Sequence, residues 1–89
     1  MQRYEVLFSG RVQGVGFRMT ARQVARGRPI TGYVQNLSSG EVRLVAEGPA
    51  SELDELVSDI ERHMEGFVRD TRIDRRPATG EFENFSIRH

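Results

Sequence analysis

A strand, a glycine-rich bend and a helix follow one another over residues 3–26, and that junction restricts the folds open to the chain. Tyr4, Val6 and Phe8 alternate with Glu5, Leu7 and Ser9, the period of two of a half-buried strand. Gly10-Arg11-Val12-Gln13-Gly14-Val15-Gly16-Phe17-Arg18 comes next. From about Arg18 to Arg26 the pattern is helical, with Ala21, Val24 and Ala25 on one face. Gly27 suits the helix end, and Pro29 prevents continuation. A bend of this kind aims backbone N–H groups and a helix N-terminus at one point, which makes a small anion cradle. The Arg18 guanidinium at its exit adds a planar pair of donors suited to a phosphoryl group.

The remaining pattern predicts four more elements and one weak one. Ile30 to Asn36 and Val42 to Glu47 read as strands joined through the turn Leu37-Ser38-Ser39-Gly40, with Val42, Leu44 and Ala46 on one face. Ser51 is the predicted N-cap of a helix whose stripe is Leu53, Leu56, Val57, Ile60 and Met64. Acidic Glu52, Asp54 and Glu55 open that helix, Arg62 and His63 close it, and Gly66 ends it, in keeping with the helix dipole. Phe67 to Arg76 reads as a weak or irregular strand, Pro77 to Gly80 as a loop, and Phe82 to Arg88 as a last strand with Phe85 and Ile87 sharing a face. The order is that of a ferredoxin-like α/β sandwich of the α+β class, βαββαβ. Two helices are expected on one face of an antiparallel sheet, with the other face wet.

Composition narrows the chemistry. A chain of 89 residues suits a single domain spanning 1–89. The absence of cysteine excludes disulfides, thiolate metal sites and cysteine nucleophiles. All 13 basic residues are arginine, which excludes Schiff-base lysines and a P-loop lysine. The 13 acidic residues balance them, and a net charge of zero argues against a nucleic-acid surface. No apolar run exceeds three residues, so no transmembrane helix or secretory signal fits, and a soluble cytoplasmic protein is expected. No Asp-x-Asp pair or His-x-His set predicts a metal site, and the two histidines, His63 and His89, sit on a helix end and at the C-terminus.

The chain resembles the acylphosphatase family over nearly its whole length. The resemblance rests on Gly10 to Arg18, on Gly32-Tyr33-Val34-Gln35-Asn36, on Gly40-Glu41-Val42 leading to Glu47-Gly48, and on Phe85-Ser86-Ile87-Arg88. It implies hydrolysis of small-molecule acyl phosphates to a carboxylate and inorganic phosphate, with no metal or other cofactor. Matched residue by residue, it implies that Arg18 binds phosphate, that Asn36 positions the attacking water, and that the backbone of Gln13, Gly14, Val15, Gly16 and Phe17 cradles the phosphoryl oxygens. The physical reading agrees. Phosphoryl transfer needs mostly positioning and charge stabilisation. An acyl phosphate releases a carboxylate whose conjugate acid has a pKa of roughly 4, so a site with no general acid suffices. Partners implied are a small-molecule acyl phosphate, no nucleic acid and no membrane, with the chain acting as a monomer.

Read singly, these residues have plainer roles. Gly14 and Gly16 serve any sharp turn, Asn36 suits a hairpin, and Arg11 is a solvated border residue. A cation at a helix start opposes the dipole, so Arg18 is the anomaly that a bound anion explains. The sequence departs from the family's common pattern at Ser39, where an aspartate usually precedes the glycine, and at Met19, where many members have an aromatic residue. Gly27-Arg28-Pro29 replaces a more apolar stretch, so the end of the first helix is expected to pack differently. Two other readings compete. One is a non-catalytic module binding phosphate or carbamoyl phosphate alongside a partner protein, since this module also opens larger carbamoyl-transferring maturation proteins. The other is an RNA-binding ferredoxin-like domain displaying Tyr4, Phe8 and Tyr33 on its sheet, which the balanced charge disfavours.

Overall fold

The alternation that begins the chain becomes β1, Gln2–Gly10, in a computed structural model that describes residues 1–89. Tyr4, Val6 and Phe8 are buried against the helices, and Glu5, Leu7 and Ser9 turn to the other face of the sheet. The chain continues through α1 (Phe17–Ala25), β2 (Thr31–Asn36), β3 (Val42–Gly48), α2 (Ala50–His63), β4 (Val68–Pro77) and β5 (Phe85–Arg88). The sheet order is β4-β1-β3-β2-β5. Three pairings are antiparallel, but β5 runs parallel to β2, with Gly32 opposite Phe85 and Gln35 opposite Arg88. The sheet is therefore mixed rather than purely antiparallel. The loop 78–84 carries the chain across the sheet from one edge to the other before β5 begins, which sets that direction.

The core forms where the sheet meets the helices. Phe17, Ala21 and Ala25 of α1 and Leu53, Leu56, Val57, Ile60 and Met64 at α2 cover Val6, Phe8, Val34, Val42, Leu44 and Ala46. The Phe8 and Phe17 rings meet with centroids 4.9 Å apart, which locks the start of α1 onto the end of β1. Tyr4 donates its hydroxyl to Asp54 Oδ1 at 2.7 Å and so pins α2 to the same strand. At the end of α1, Arg28 donates to the Val24 carbonyl at 3.0 Å and pairs with Asp59 and Glu55 of α2. An ion-pair clamp thus replaces apolar packing there. The helix α2 begins at Ala50 with Pro49 as its N-cap, two residues before the expected Ser51, because Glu52 and Leu53 N–H groups both reach the Pro49 carbonyl at 3.0 Å.

Two expectations need correction. The stretch read as weak is a ten-residue strand, β4, held by continuous pairing with β1 from Gln2–Pro77 to Gly10–Val68. The face opposite the helices is not simply wet. Phe82, from the loop 78–84, packs edge-on against Tyr33 at 5.8 Å, Arg3 lies 5.4 Å from the Phe82 ring, and Arg88 lies 3.6 Å from the Tyr33 ring. Beneath them Val45 and Tyr33 are buried. Tyr4 and Phe8 face the helices, so of the three aromatics considered for RNA only Tyr33 is on this face, and it is covered. At Gly32, with φ of 142°, a side chain would run into the Val45 carbonyl of the neighbouring strand. No helix is long and apolar enough to cross a membrane.

Candidate active site

The site is assembled where β1 ends. A bulge between Ser9 and Gly10 breaks the register with β4, and the Arg11 N–H donates to the Phe67 carbonyl at 2.8 Å. The chain then leaves the sheet and enters α1 through Gly16, its N-cap. Gly14 and Gly16 both have φ of 77°, in the left-handed region. A Cβ at either would touch nothing within 4 Å, so backbone conformation, not space, demands glycine there.

That conformation leaves the loop's donors free. None of the N–H groups of Gln13, Gly14, Val15 and Gly16 donates to a protein acceptor, and no side chain caps the helix. The first helical bond back to the loop runs from the Thr20 N–H to the Gly16 carbonyl at 3.0 Å. Free donors at a helix start, with the positive end of the helix dipole behind them, form an anion site.

The hairpin β2–β3 is tied to this loop by one side chain. Gln13 Nε2 donates to the carbonyls of Leu37 at 2.7 Å and Glu41 at 2.9 Å. The tether holds the loop beside Asn36, the last residue of β2. A cavity of about 230 Å³ lies between them, lined by Gly14, Gly16, Phe17, Arg18 and Asn36 together with His89. The expected residues Arg18 and Asn36 thus come together with the glycines. Gln13 and Val15 do not line the cavity, and Phe17 is buried, its ring serving as the anchor on Phe8.

The polar groups around the cavity have few protein partners. Arg18 forms no ion pair, and its one side-chain contact is Nη1 to His89 Nδ1 at 3.3 Å. Because a guanidinium only donates, Nδ1 is the acceptor in that contact. Asn36 Oδ1 is buried with no hydrogen-bond partner. A buried, unpaired amide oxygen is a cost of about 1–3 kcal/mol that a native fold seldom retains without a function. Arg11 turns away to lie 5.5 Å from the Phe67 ring, which agrees with a border role.

A model of the acylphosphatase family matches residues 4–87. The chain belongs to the acylphosphatase family. Similar acylphosphatases occur in Salinibacter ruber, 41% identical over 88 residues and covering 98% of this chain and 93% of that one. Another, from Methylococcus capsulatus, is 43% identical over 89 residues, covering 98% and 96%. The fold superposes on the crystal structure of acylphosphatase from Bacillus subtilis with a TM-score of 0.92, at 32% identity and complete coverage of both chains. That acylphosphatase shares the two-helix, five-strand architecture described above.

Sequence reasoning missed the side-chain role of Gln13 and the place of His89 in the site. The Gln13 tether is invisible because its acceptors are backbone carbonyls more than twenty positions away. His89 reaches Arg18 only because β5 lies parallel to β2, and the charge pattern of the last strand carries no sign of that pairing.

Proposed function

We propose that this chain hydrolyses acyl phosphates to a carboxylate and inorganic phosphate by direct attack of water on phosphorus. The phosphoryl oxygens take the free N–H groups of residues 13–17, and the Arg18 guanidinium balances their charge. Asn36 orients the water through its carboxamide, in line with the departing carboxylate. Positioned donors of this kind act by pre-organised charge stabilisation, and the carboxylate leaves without a general acid. The phosphate itself accepts the water's proton, so no enzyme group needs to titrate near neutrality. No metal takes part, and the chain acts as a monomer.

One observation carries the reading: Asn36, whose buried Oδ1 is unpaired, lines the same small cavity as Arg18, which has no carboxylate partner, and the glycine loop with its free donors. The test is hydrolysis of benzoyl phosphate with excess chelator, using wild type and Arg18→Ala in parallel. Rapid turnover by wild type alone is the expected result. Absence of turnover in a wild-type protein that still binds inorganic phosphate would replace this reading with a binding module. A pH–rate profile that required an enzyme group near neutrality would overturn proton uptake by the phosphate.

A further inference from the structure

The cavity that holds the phosphoryl group in this reading opens onto a second hollow. A groove of about 570 Å³ runs between α1 and β5 and shares Met19, Ile87 and His89 with the first. Its floor is apolar, from Met19, Phe85 and Ile87, and Arg22 lines it from α1. Met19 is 57% exposed, a large apolar side chain left open at the junction of the two hollows. Arg22 stands four residues after Arg18 on the same face of the helix, roughly 6 Å further along.

The charge of this surface is one-sided. Arg18 and Arg22 line the two hollows, and no acidic side chain lines either. This occurs in a chain whose acidic and basic residues are equal in number. Arg3, Arg28, Arg43, Arg62 and Arg76 each lie against an acidic side chain, and the remaining arginines, Arg18 and Arg22 among them, do not. Arg22 has no ion pair and no side-chain hydrogen bond. An apolar floor with a free guanidinium one helical turn from the phosphate-binding arginine suits a molecule with a hydrocarbon middle and a negative group at each end.

We infer that the α1–β5 groove is the acyl-group subsite and that Arg22 makes it selective for acyl phosphates bearing a second anionic group. This rests on the hydrolytic reading above. The phosphoryl group sits in the glycine loop, the hydrocarbon part of the acyl chain lies over Met19 and Ile87, and its far carboxylate meets Arg22.

The test compares kcat/KM for para-carboxybenzoyl phosphate and para-methylbenzoyl phosphate, which have similar shapes and differ in charge. Differences in leaving-group acidity cancel when the ratio is compared between variants. Wild type favours the carboxylate. Arg22→Ala lowers the ratio about fivefold, chiefly through KM, as suits one exposed charge pair. Arg22→Lys retains most of it, and Arg22→Glu lowers it further. Arg69→Ala, which removes an exposed arginine of β4 outside both hollows, leaves the ratio unchanged. The subsite is overturned if Arg22→Ala and Arg22→Glu keep the wild-type ratio, or if Arg69→Ala shifts it equally. Failure of wild type to hydrolyse either compound would instead sink the hydrolytic reading.

Discussion

Two loops at opposite ends of β1 treat their polar groups in opposite ways. At the start of the strand, Glu47 of β3 is only 5% exposed, yet its carboxylate accepts from the Thr79 N–H at 3.0 Å, the Thr79 hydroxyl at 2.9 Å, the Gly80 N–H at 2.9 Å and Arg3 at 3.1 Å. Arg3 in turn meets Glu5 at 2.9 Å and Glu81 at 2.7 Å. At the far end, the glycine loop leaves its N–H groups, Arg18 and Asn36 without acidic or carbonyl partners. A saturated network fixes a loop and lies idle toward solutes. An unsaturated one has its geometry set from outside, by Gln13 and the Phe8–Phe17 contact, and keeps its donors for a ligand.

The contrast is tested by substitutions ranked by their expected effect on turnover. Arg18→Ala should lower benzoyl phosphate hydrolysis by roughly a thousandfold, while thermal unfolding changes by less than about 0.5 kcal/mol because the only folded-state partner lost is the exposed contact with His89. Asn36→Ala should lower turnover by about a hundredfold. It should also leave inorganic phosphate affinity within a few-fold and hold or raise stability, since a buried unpaired amide oxygen is removed. A clear loss of stability in Asn36→Ala would mean that the amide is structural. Gln13→Ala sits between the two behaviours. It should cost about tenfold in kcat and about 1–2 kcal/mol in denaturant unfolding, since the tether serves both site and fold.

Glu47→Gln should leave turnover per folded molecule unchanged and destabilise the protein by about 2 kcal/mol. Its pH dependence has a defined sign. Burial pushes the Glu47 carboxyl up, but the hydrogen bonds from Thr79, Gly80 and Arg3 outweigh that and hold it at about 2 instead of 4.5. The folded state therefore favours the ionised form, and its stabilisation is complete above about 4.5 and lost as the pH falls toward 2. Unfolding measured across that window should show this acid sensitivity in wild type and a smaller one in Glu47→Gln.

The glycine-loop end of the molecule was more legible in the sequence than the Glu47 end. Glycines at φ of 77° and an arginine at a helix start are local oddities, and local oddities survive in a linear text. The stripe Leu53, Leu56, Val57, Ile60 and Met64 was equally plain, because helical burial repeats with a short period. Glu47 falls on the face of β3 away from the helices, where alternation assigns an ordinary solvated acid. Its burial depends on a loop more than thirty positions later. Phe82 was read as the start of a strand, whereas it belongs to that loop and β5 begins at Phe85. In β4, charges such as Arg69, Asp70 and Arg72 masked a strand whose hold on β1 is mainly backbone pairing. Ferredoxin-like order was recoverable from the spacing of elements. The parallel direction of β5 was not, since it depends on the path of the loop 78–84.

That parallel strand has a bearing on how the protein comes into being. β5 follows every other element in chain order, yet it contributes Ile87 to the cavity and sits beside Gly32 to Gln35, which precede it by more than fifty positions. During synthesis the glycine loop, α1 and the hairpin leave the ribosome long before the strand that completes the pocket wall. Closing such a long stretch of chain is a slow step compared with forming a local helix. Nascent chains stalled before β5 would hold the arginine and the asparagine but an open wall, so the appearance of catalysis would mark the end of folding rather than its progress.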